Sequence, residues 1–337
     1  MKTPWTRRAL LAGAAAAGTT ITVRPVRAAS YTFIQYHNQS ETSTLHKNLL
    51  AMWDAIGRDT NGRVETTVYA ENNKVAAGDP AALKMLIAGE IQFFTLMGGI
   101  IGTVVPVAEV QQAPFAFRSA AEAHKAIDGP LGAYMGEEMA AKGMYLFPVA
   151  GFDNGMRQVT TVARPVNTPD DLAGVKIRVP PGQMIFDTFE AFGAQPVTTP
   201  ANLIYDSIKS GKVGAQENPL AILENFRIYE VVKYVSMTNH MWSGFNQMAH
   251  LATWRSLPDD IKDAITRNVA KYVRQQRIDQ GNINASLRDR LIAAGLIFNE
   301  VDQAQFRARL TNVYVTWREK LGSKCWTLLE AEVGKLG

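Results

Sequence analysis

A single cysteine, Cys325, stands among 337 residues. No intrachain disulfide can form, and zinc or iron–sulfur sites built from several thiolates are excluded. Long hydrophobic runs are missing as well: after residue 28 no stretch of 18 uninterrupted apolar residues occurs. The mature chain is therefore not expected to insert into a membrane. Catalytic signatures are also lacking. There is no G-x-G-x-x-G, no phosphate-binding G-x-x-x-x-G-K-[ST] loop, no G-x-S-x-G elbow and no H-E-x-x-H. The five histidines, His37, His46, His124, His240 and His250, never fall at metal-ligand spacing along one helix. An exported enzyme with dispersed catalytic residues gains no support from spacing and stands as the rival reading.

Acid is absent from the first 28 residues, which carry Lys2, Arg7, Arg8, Arg24 and Arg27. The whole chain has a formal charge of +4 and a pI near 9.0, figures that invite a nucleic-acid or anionic-membrane partner. Taking those five basic residues from the 35 leaves 30 against 31 acidic ones, a net of −1. The basicity belongs to the N-terminus, and a nucleic-acid partner loses its basis. Residues 1–28 divide into a charged n-region, an apolar LLAGAAAAG stretch from Leu10, and Val26-Arg27-Ala28 before the expected cleavage. That is the layout of an export signal. Thr6-Arg7-Arg8-Ala9-Leu10-Leu11 resembles the twin-arginine motif; an ordinary secretion leader with two arginines is the alternative. The mature protein is expected to begin at Ala29 in the periplasm.

What remains has a globular composition, 47% hydrophobic and 20% charged, and its length favours two domains. Strands are expected at 31–36, from Val64, and at about 144–149, 158–162, 175–179, 195–198, 213–216 and 231–236. Helices fall between them, which points to α/β architecture with largely parallel sheets. Leu45, Leu49, Met52, Trp53 and Ile56 form one stripe at helical spacing from about Thr44. Asp79-Pro80 has the form of a cap followed by a first-turn proline, and Gly89 stops that helix. Ser119 to Glu122 and Thr168 to Asp171 have capping-box spacing. From about Pro258 to Ala294 apolar residues recur for more than 30 residues without a proline, long enough for a helix to run across two domains. No flexible linker separates the halves, which suits ordered crossings and a hinge.

Three segments carry polar residues in suggestive places: Asn154 to Thr160, Leu172 to Pro180, and Val213 to Pro219 followed by YEVVKYVSMTNH. Alternation puts Val175, Ile177 and Val179 on one strand face and Lys176 and Arg178 on the other. By periodicity alone Arg178 is a solvated strand arginine, Arg157 follows a glycine turn, and Asn218 before Pro219 is a turn residue.

Nearly the whole mature chain resembles the solute receptors of TRAP transporters, the tripartite ATP-independent periplasmic carriers. The stretches that carry the resemblance are TNGRVETTVY, ALKMLIAGEIQFF, PFAF, PDDLAGVKIRVP, FGAQPVTTPANLIYDSIKSGKVGAQENP, YEVVKYVSMTNH and the helix after LPDDIKDAI. It implies a two-domain α/β periplasmic solute-binding fold with a hinge, crossing strands and a long domain-spanning helix. Residues 29–154 and 244–283 would form domain I; 155–243 and 284–337 would form domain II. It also implies a non-catalytic receptor that carries an organic acid to membrane-embedded permease subunits. No cofactor or metal is implied.

The resemblance gives Arg178 the ligand carboxylate, with Arg157 assisting, and matches Asn218 and Asn38 to ligand-contacting asparagines. A guanidinium offers two parallel donors to a carboxylate, which suits that role. Met97 stands where sialic-acid-type receptors place a glutamate, which argues against a many-hydroxyl sugar acid. Phe94, Met97, Trp242 and Phe245 are candidates for an apolar wall, with Trp242 the foremost. A compact or aromatic monocarboxylate is favoured over a dicarboxylate.

Overall fold

The computed structural model describes residues 29–336 apart from 73, 74, 76 and 77. The leader and its twin-arginine motif lie outside the described residues. Eleven strands are described: β1 Tyr31–His37, β2 Val64–Tyr69, β3 Phe93–Met97, β4 Met144–Met156, β5 Gln158–Thr161, β6 Lys176–Val179, β7 Gln195–Thr198, β8 Ala215–Asn218, β9 Tyr234–Met237, β10 Trp242–His250 and β11 Ile297–Glu300. They form two sheets, ordered β2-β1-β3-β10-β4 and β11-β9-β5-β8-β6-β7.

Both sheets are mixed, which corrects the largely parallel expectation. β1 runs parallel to β2 and β3, and β6 runs parallel to β7 and β8. β10 is antiparallel to β3 and β4, and β5 is antiparallel to β8 and β9. The antiparallel members are the strands that pass from one sheet to the other. β4 leaves the first sheet at Met156 and β5 enters the second at Gln158; β9 returns at Met237 and β10 re-enters at Trp242. The two crossings are tied together. The Arg157 amide donates to Met241 O at 2.8 Å, and the Gln158 side chain exchanges hydrogen bonds with Asn239 at 2.6 and 2.9 Å.

Helices cover the sheets with the faces the sequence marks. Ser43 caps the helix Thr44–Asp59 by accepting from the His46 amide, and its Leu45, Leu49, Met52, Trp53 and Ile56 stripe is buried. In Asp79–Ala88 the cap is Gly78, with φ 66°, and Asp79 is the first helical residue. That moves Asp79 off the cap position and leaves its carboxylate free to turn inward. Gly89, with φ 80°, ends that helix as a left-handed C-cap. The long helix runs unbroken from Asp259 to Ala293 through Gly281. It packs on the Thr44–Asp59 helix and β4 at one side and on the helix Leu220–Asn225 at the other.

The last helix, Thr311–Val333, bends at Gly322 (φ 79°). It lies against elements following both sheets, among them the 3-10 turn Pro106–Gln112 and the helix Gln183–Ala191. Its Cys325 is fully buried, and burial pushes the thiol pKa up to about 12.

A buried carboxylate joins the two halves near this helix. Glu109 Oε2 accepts from the Met184 amide at the start of Gln183–Ala191, 2.6 Å away. Gly182 passes so near Gly99 that an added Cβ would lie 3.2 Å from the Gly99 oxygen. Burial pushes the Glu109 carboxyl up to about 7, against the pull of the Met184 and Gln183 amides. Between 4.5, its ordinary value, and 7 the folded state holds more proton than the unfolded one, so stability falls as pH rises through that window. Glu109→Gln should therefore gain on the wild type by up to roughly 3 kcal/mol between pH 4.5 and 7. Thermal melts across that range measure the gain; a constant difference would show that Glu109 does not titrate there.

Candidate functional site

Where β1, β3, β6 and β8 end, their carboxyl ends face a tight cavity of about 30 Å3. Crevices beyond the carboxyl ends of strands are where open α/β sheets bind ligands. One part of its lining is polar, with Asn38, Gln39, Asp79, Asn154, Arg157, Arg178 and Asn218; the rest includes Met97, Ile100, Ile204, Ile222, Phe226 and Phe245.

Arg178 is 2% exposed and is not a solvated strand residue. Lys176, on the same strand face, is exposed; two residues on, that face meets the other half of the molecule. Arg178 Nε donates to Thr199 O at 2.8 Å, and Nη2 donates to the same oxygen. Among the described residues no carboxylate forms a salt bridge with it. Burial pulls its pKa down to about 9, and Arg157 adds repulsion, while Glu217 and Asp79 partly offset both. It remains charged at neutral pH. A buried cation that the fold leaves without a partner is costly unless something else supplies the anion.

Arg157 also lines the cavity, but its charge is already matched. Nε and Nη2 grip Glu217 Oε2 and Oε1 at 2.5 and 2.7 Å. Nη2 also reaches Glu217 O and Asn218 Oδ1 at 2.9 and 3.1 Å. Nη1 has softer partners, Ser243 Oγ at 3.2 Å and Met97 Sδ at 3.6 Å. His240 Nε2 lies 3.1 Å from Glu217 Oε2, and its Nδ1 lies 2.8 Å from Thr238 Oγ1. Burial alone would push the Glu217 carboxyl up, yet Arg157 and His240 hold it below the usual range. The cluster sits at the two strand crossings and fixes the guanidinium beside the cavity.

Asn218 faces the cavity with Nδ2 on Gln216 Oε1 at 2.5 Å. Asn38 does so with Nδ2 on Asp79 Oδ2 at 3.1 Å and Oδ1 accepting from Gln39 at 2.9 Å. Met97 and Phe245 form part of the wall; Phe94 and Trp242 are not in the lining. Trp242 points the other way, its indole donating to Asp153 Oδ1 at 2.9 Å and meeting Phe117 and His124 edge-on. The ring occupies the space above Gly244, where an added Cβ would lie 2.0 Å from it. Trp242 is core, as a large aromatic beside a glycine can be. Among the described residues no group of three or more His, Cys, Asp or Glu side chains is placed to hold a metal ion, and no helix is long and apolar enough to cross a membrane.

Sequence reasoning missed Asp79 and Glu217. Asp79 looked like a helix cap. Glu217 alternates with Gln216 and Asn218 in a polar run whose facing only the fold decides. The apolar members Ile100, Ile204, Ile222 and Phe226 carry no signal that separates them from core.

The sequence matches the family described as bacterial extracellular solute-binding protein, family 7, over residues 36–320. A solute-binding protein of Chromohalobacter salexigens is 28% identical over 261 residues, covering 77% of this chain and 76% of that protein. The 2,3-diketo-L-gulonate-binding periplasmic protein of Escherichia coli is 26% identical over 277 residues, with 82% and 83% covered. The crystal structure of a TRAP periplasmic solute-binding protein from C. salexigens with bound D-glucuronate superposes with a TM-score of 0.83 at 25% identity. It covers 89% of this chain and 98% of that one.

Proposed function

The chain belongs to family 7 of the bacterial extracellular solute-binding proteins, and from that premise we propose that it binds a small organic acid between its two halves, with Arg178 on the carboxylate. It is a receptor and not an enzyme, and it works outside the cytoplasm. The single observation that carries the ligand class is Arg178, a buried guanidinium facing the cavity with no carboxylate partner among the described residues. A carboxylate there supplies two acceptor oxygens to a planar fork and removes the cost of the lone charge. Relatives that bind 2,3-diketo-L-gulonate and D-glucuronate, both acids, agree with this reading. Arg157, Asn218 and Asn38 would complete the polar wall, with Met97 and Phe245 on the apolar one.

The two sheets would move as separate bodies about Arg157 and residues 238–241, closed by a ligand that touches both. Domain I would hold 29–154 and 244–283, domain II 155–243 and 284–337, with export by the twin-arginine route and delivery to TRAP permease subunits. Freshly purified protein, denatured and examined by mass spectrometry, is expected to release a carboxylic acid in up to stoichiometric amount. The same acid added back should raise the melting temperature without being consumed. Chemical conversion of the acid would overturn the receptor reading.

A further inference from the structure

A cavity of about 30 Å3 has room for a water molecule or two and not for an organic acid. The halves therefore stand closed and must part to admit one. Contacts between them beside the cavity set how easily they part. At one such contact the backbones of Gly99 and Gly182 nearly touch, and a Cβ built on Gly182 would lie 3.2 Å from the Gly99 oxygen. Ile100, next to Gly99, and Pro180, two residues before Gly182, line the cavity. The helix that follows, Gln183–Ala191, has no cap of its own. Gly182 holds its cap position and brings no side chain, so the first amides depend on an acceptor from elsewhere.

Glu109 supplies that acceptor from the opposite half. It stands in the 3-10 turn Pro106–Gln112, which follows β3 of the first sheet. Its Oε2 accepts from the Met184 amide at 2.6 Å, and the Gln183 amide donates to the same carboxylate. Gly102 makes room for the side chain, since an added Cβ there would collide with Glu109 Cγ. When the halves separate, the helix loses its cap and a carboxylate that is 3% exposed returns to water. Two charged groups face Glu109. Asp187, one turn along the capped helix, repels it, and Lys320 of the last helix attracts it. These two face each other at 3.4 Å, and Trp317 Nε1 donates to Asp187 at 2.9 Å. Among the described residues neither forms a salt bridge or hydrogen bond with Glu109, and burial is the larger influence on its carboxyl.

Resting on the reading that the two halves move as separate bodies, we propose that Glu109 holds the receptor shut by capping a helix of the opposite half, and that its protonated form holds more firmly than its ionised one. A neutral carboxyl keeps a carbonyl oxygen for the Met184 amide and escapes the desolvation that an ionised one suffers in the dry contact. In the open form the carboxyl would return to its ordinary 4.5, against about 7 in the closed one. Closing therefore takes up a proton between those pH values, and the closed fraction falls as pH rises through that window.

Spin labels on Lys84→Cys and Lys209→Cys, at exposed positions of opposite halves, report the separation by pulsed dipolar spectroscopy in the dialysed mature protein. Cys325 is buried and stays unlabelled. From pH 8 to pH 5 the ratio of short to long separations should rise at least about tenfold with Glu109 in place. Glu109→Gln, neutral and still an acceptor, should keep the high ratio at both pH values. Glu109→Ala, with no acceptor, should fall below the wild type at pH 5 by about fivefold, the size of a lost helix cap. A ratio that ignored pH in the wild type, or followed it equally in Glu109→Gln, would overturn the Glu109 assignment and leave the hinge intact. A single separation in every sample at every pH would remove the moving halves, and the assignment with them.

Discussion

Arg178→Met should cost at least about a hundredfold in affinity for the bound acid, because a buried, charge-assisted pair loses 2–5 kcal/mol or more when one partner is cut away. The ligand-free variant should nonetheless be more stable than the wild type. Arg178 is held in the fold by one carbonyl, Thr199 O, and by no carboxylate among the described residues. Methionine matches much of its length and removes a desolvation penalty of several kcal/mol. The loss is the partner of Thr199 O, about 1–3 kcal/mol. A net gain of roughly 1–2 kcal/mol is expected, read as a higher urea midpoint with unchanged slope. Arg178→Lys keeps the charge without the fork and should fall between, losing about tenfold in affinity. A methionine variant that is both inactive and less stable would mean that Arg178 is structural. One that still binds the acid would remove the clamp altogether.

Glu217→Gln is expected to have the largest effect on folding. It leaves the charge of Arg157 buried without an anion and one acceptor oxygen where Arg157 and His240 shared two, at a cost of about 3–5 kcal/mol. Burial raises the Glu217 carboxyl, but Arg157 and His240 bring it below its ordinary value. The sign of the pH dependence follows from that depression. The stabilising contribution is present above the unfolded-state pKa of about 4.3 and is lost as pH falls through the lower folded-state value. Urea unfolding should separate wild type from variant at pH 7, and the gap should close as acid protonates the carboxylate. A gap under about 1 kcal/mol at pH 7 would mean that Arg157 finds another partner, with Asn218 Oδ1 the nearest.

Much of the framework was legible because local chemistry dictated it. The stripe from Leu45 to Ile56, the glycine stop at Gly89, the cap at Ser119, the box at Thr168 and the proline-free run to Ala293 all settle nearby backbone without help from distant residues; at Ser119 only half the box forms, because Glu122 accepts from the Arg118 amide instead. β3 and β10 went unassigned. Their residues are all buried but for His250 at the end of β10, and continuous burial erases the alternation that marks a strand. β11 is short and half exposed, and it has no pattern to find.

The site was legible only through resemblance. Periodicity gave Arg178 a solvated face, since nothing within Lys176–Val179 reveals that the opposing half of the molecule covers its end. The preference for Trp242 failed for a related reason: a large aromatic near a crossing has two sides to turn to, and Gly244 on its own strand opens the one away from the cavity. Asp79 was hidden by the frequency with which Asp precedes Pro at helix starts; only the three-dimensional approach of Asn38 and Asn72 distinguishes it.

The burial of Cys325 reaches beyond packing. A thiol whose pKa stands near 12 is ionised in only about one molecule in 10^5 at pH 7, and the thiolate is the form that attacks disulfides and peroxides. The chain thus has no bond for a reductant to break and almost no nucleophile for an oxidant to trap. Its fold therefore rests on no disulfide, and no thiol chemistry has to happen as the surroundings pass from reducing to oxidising.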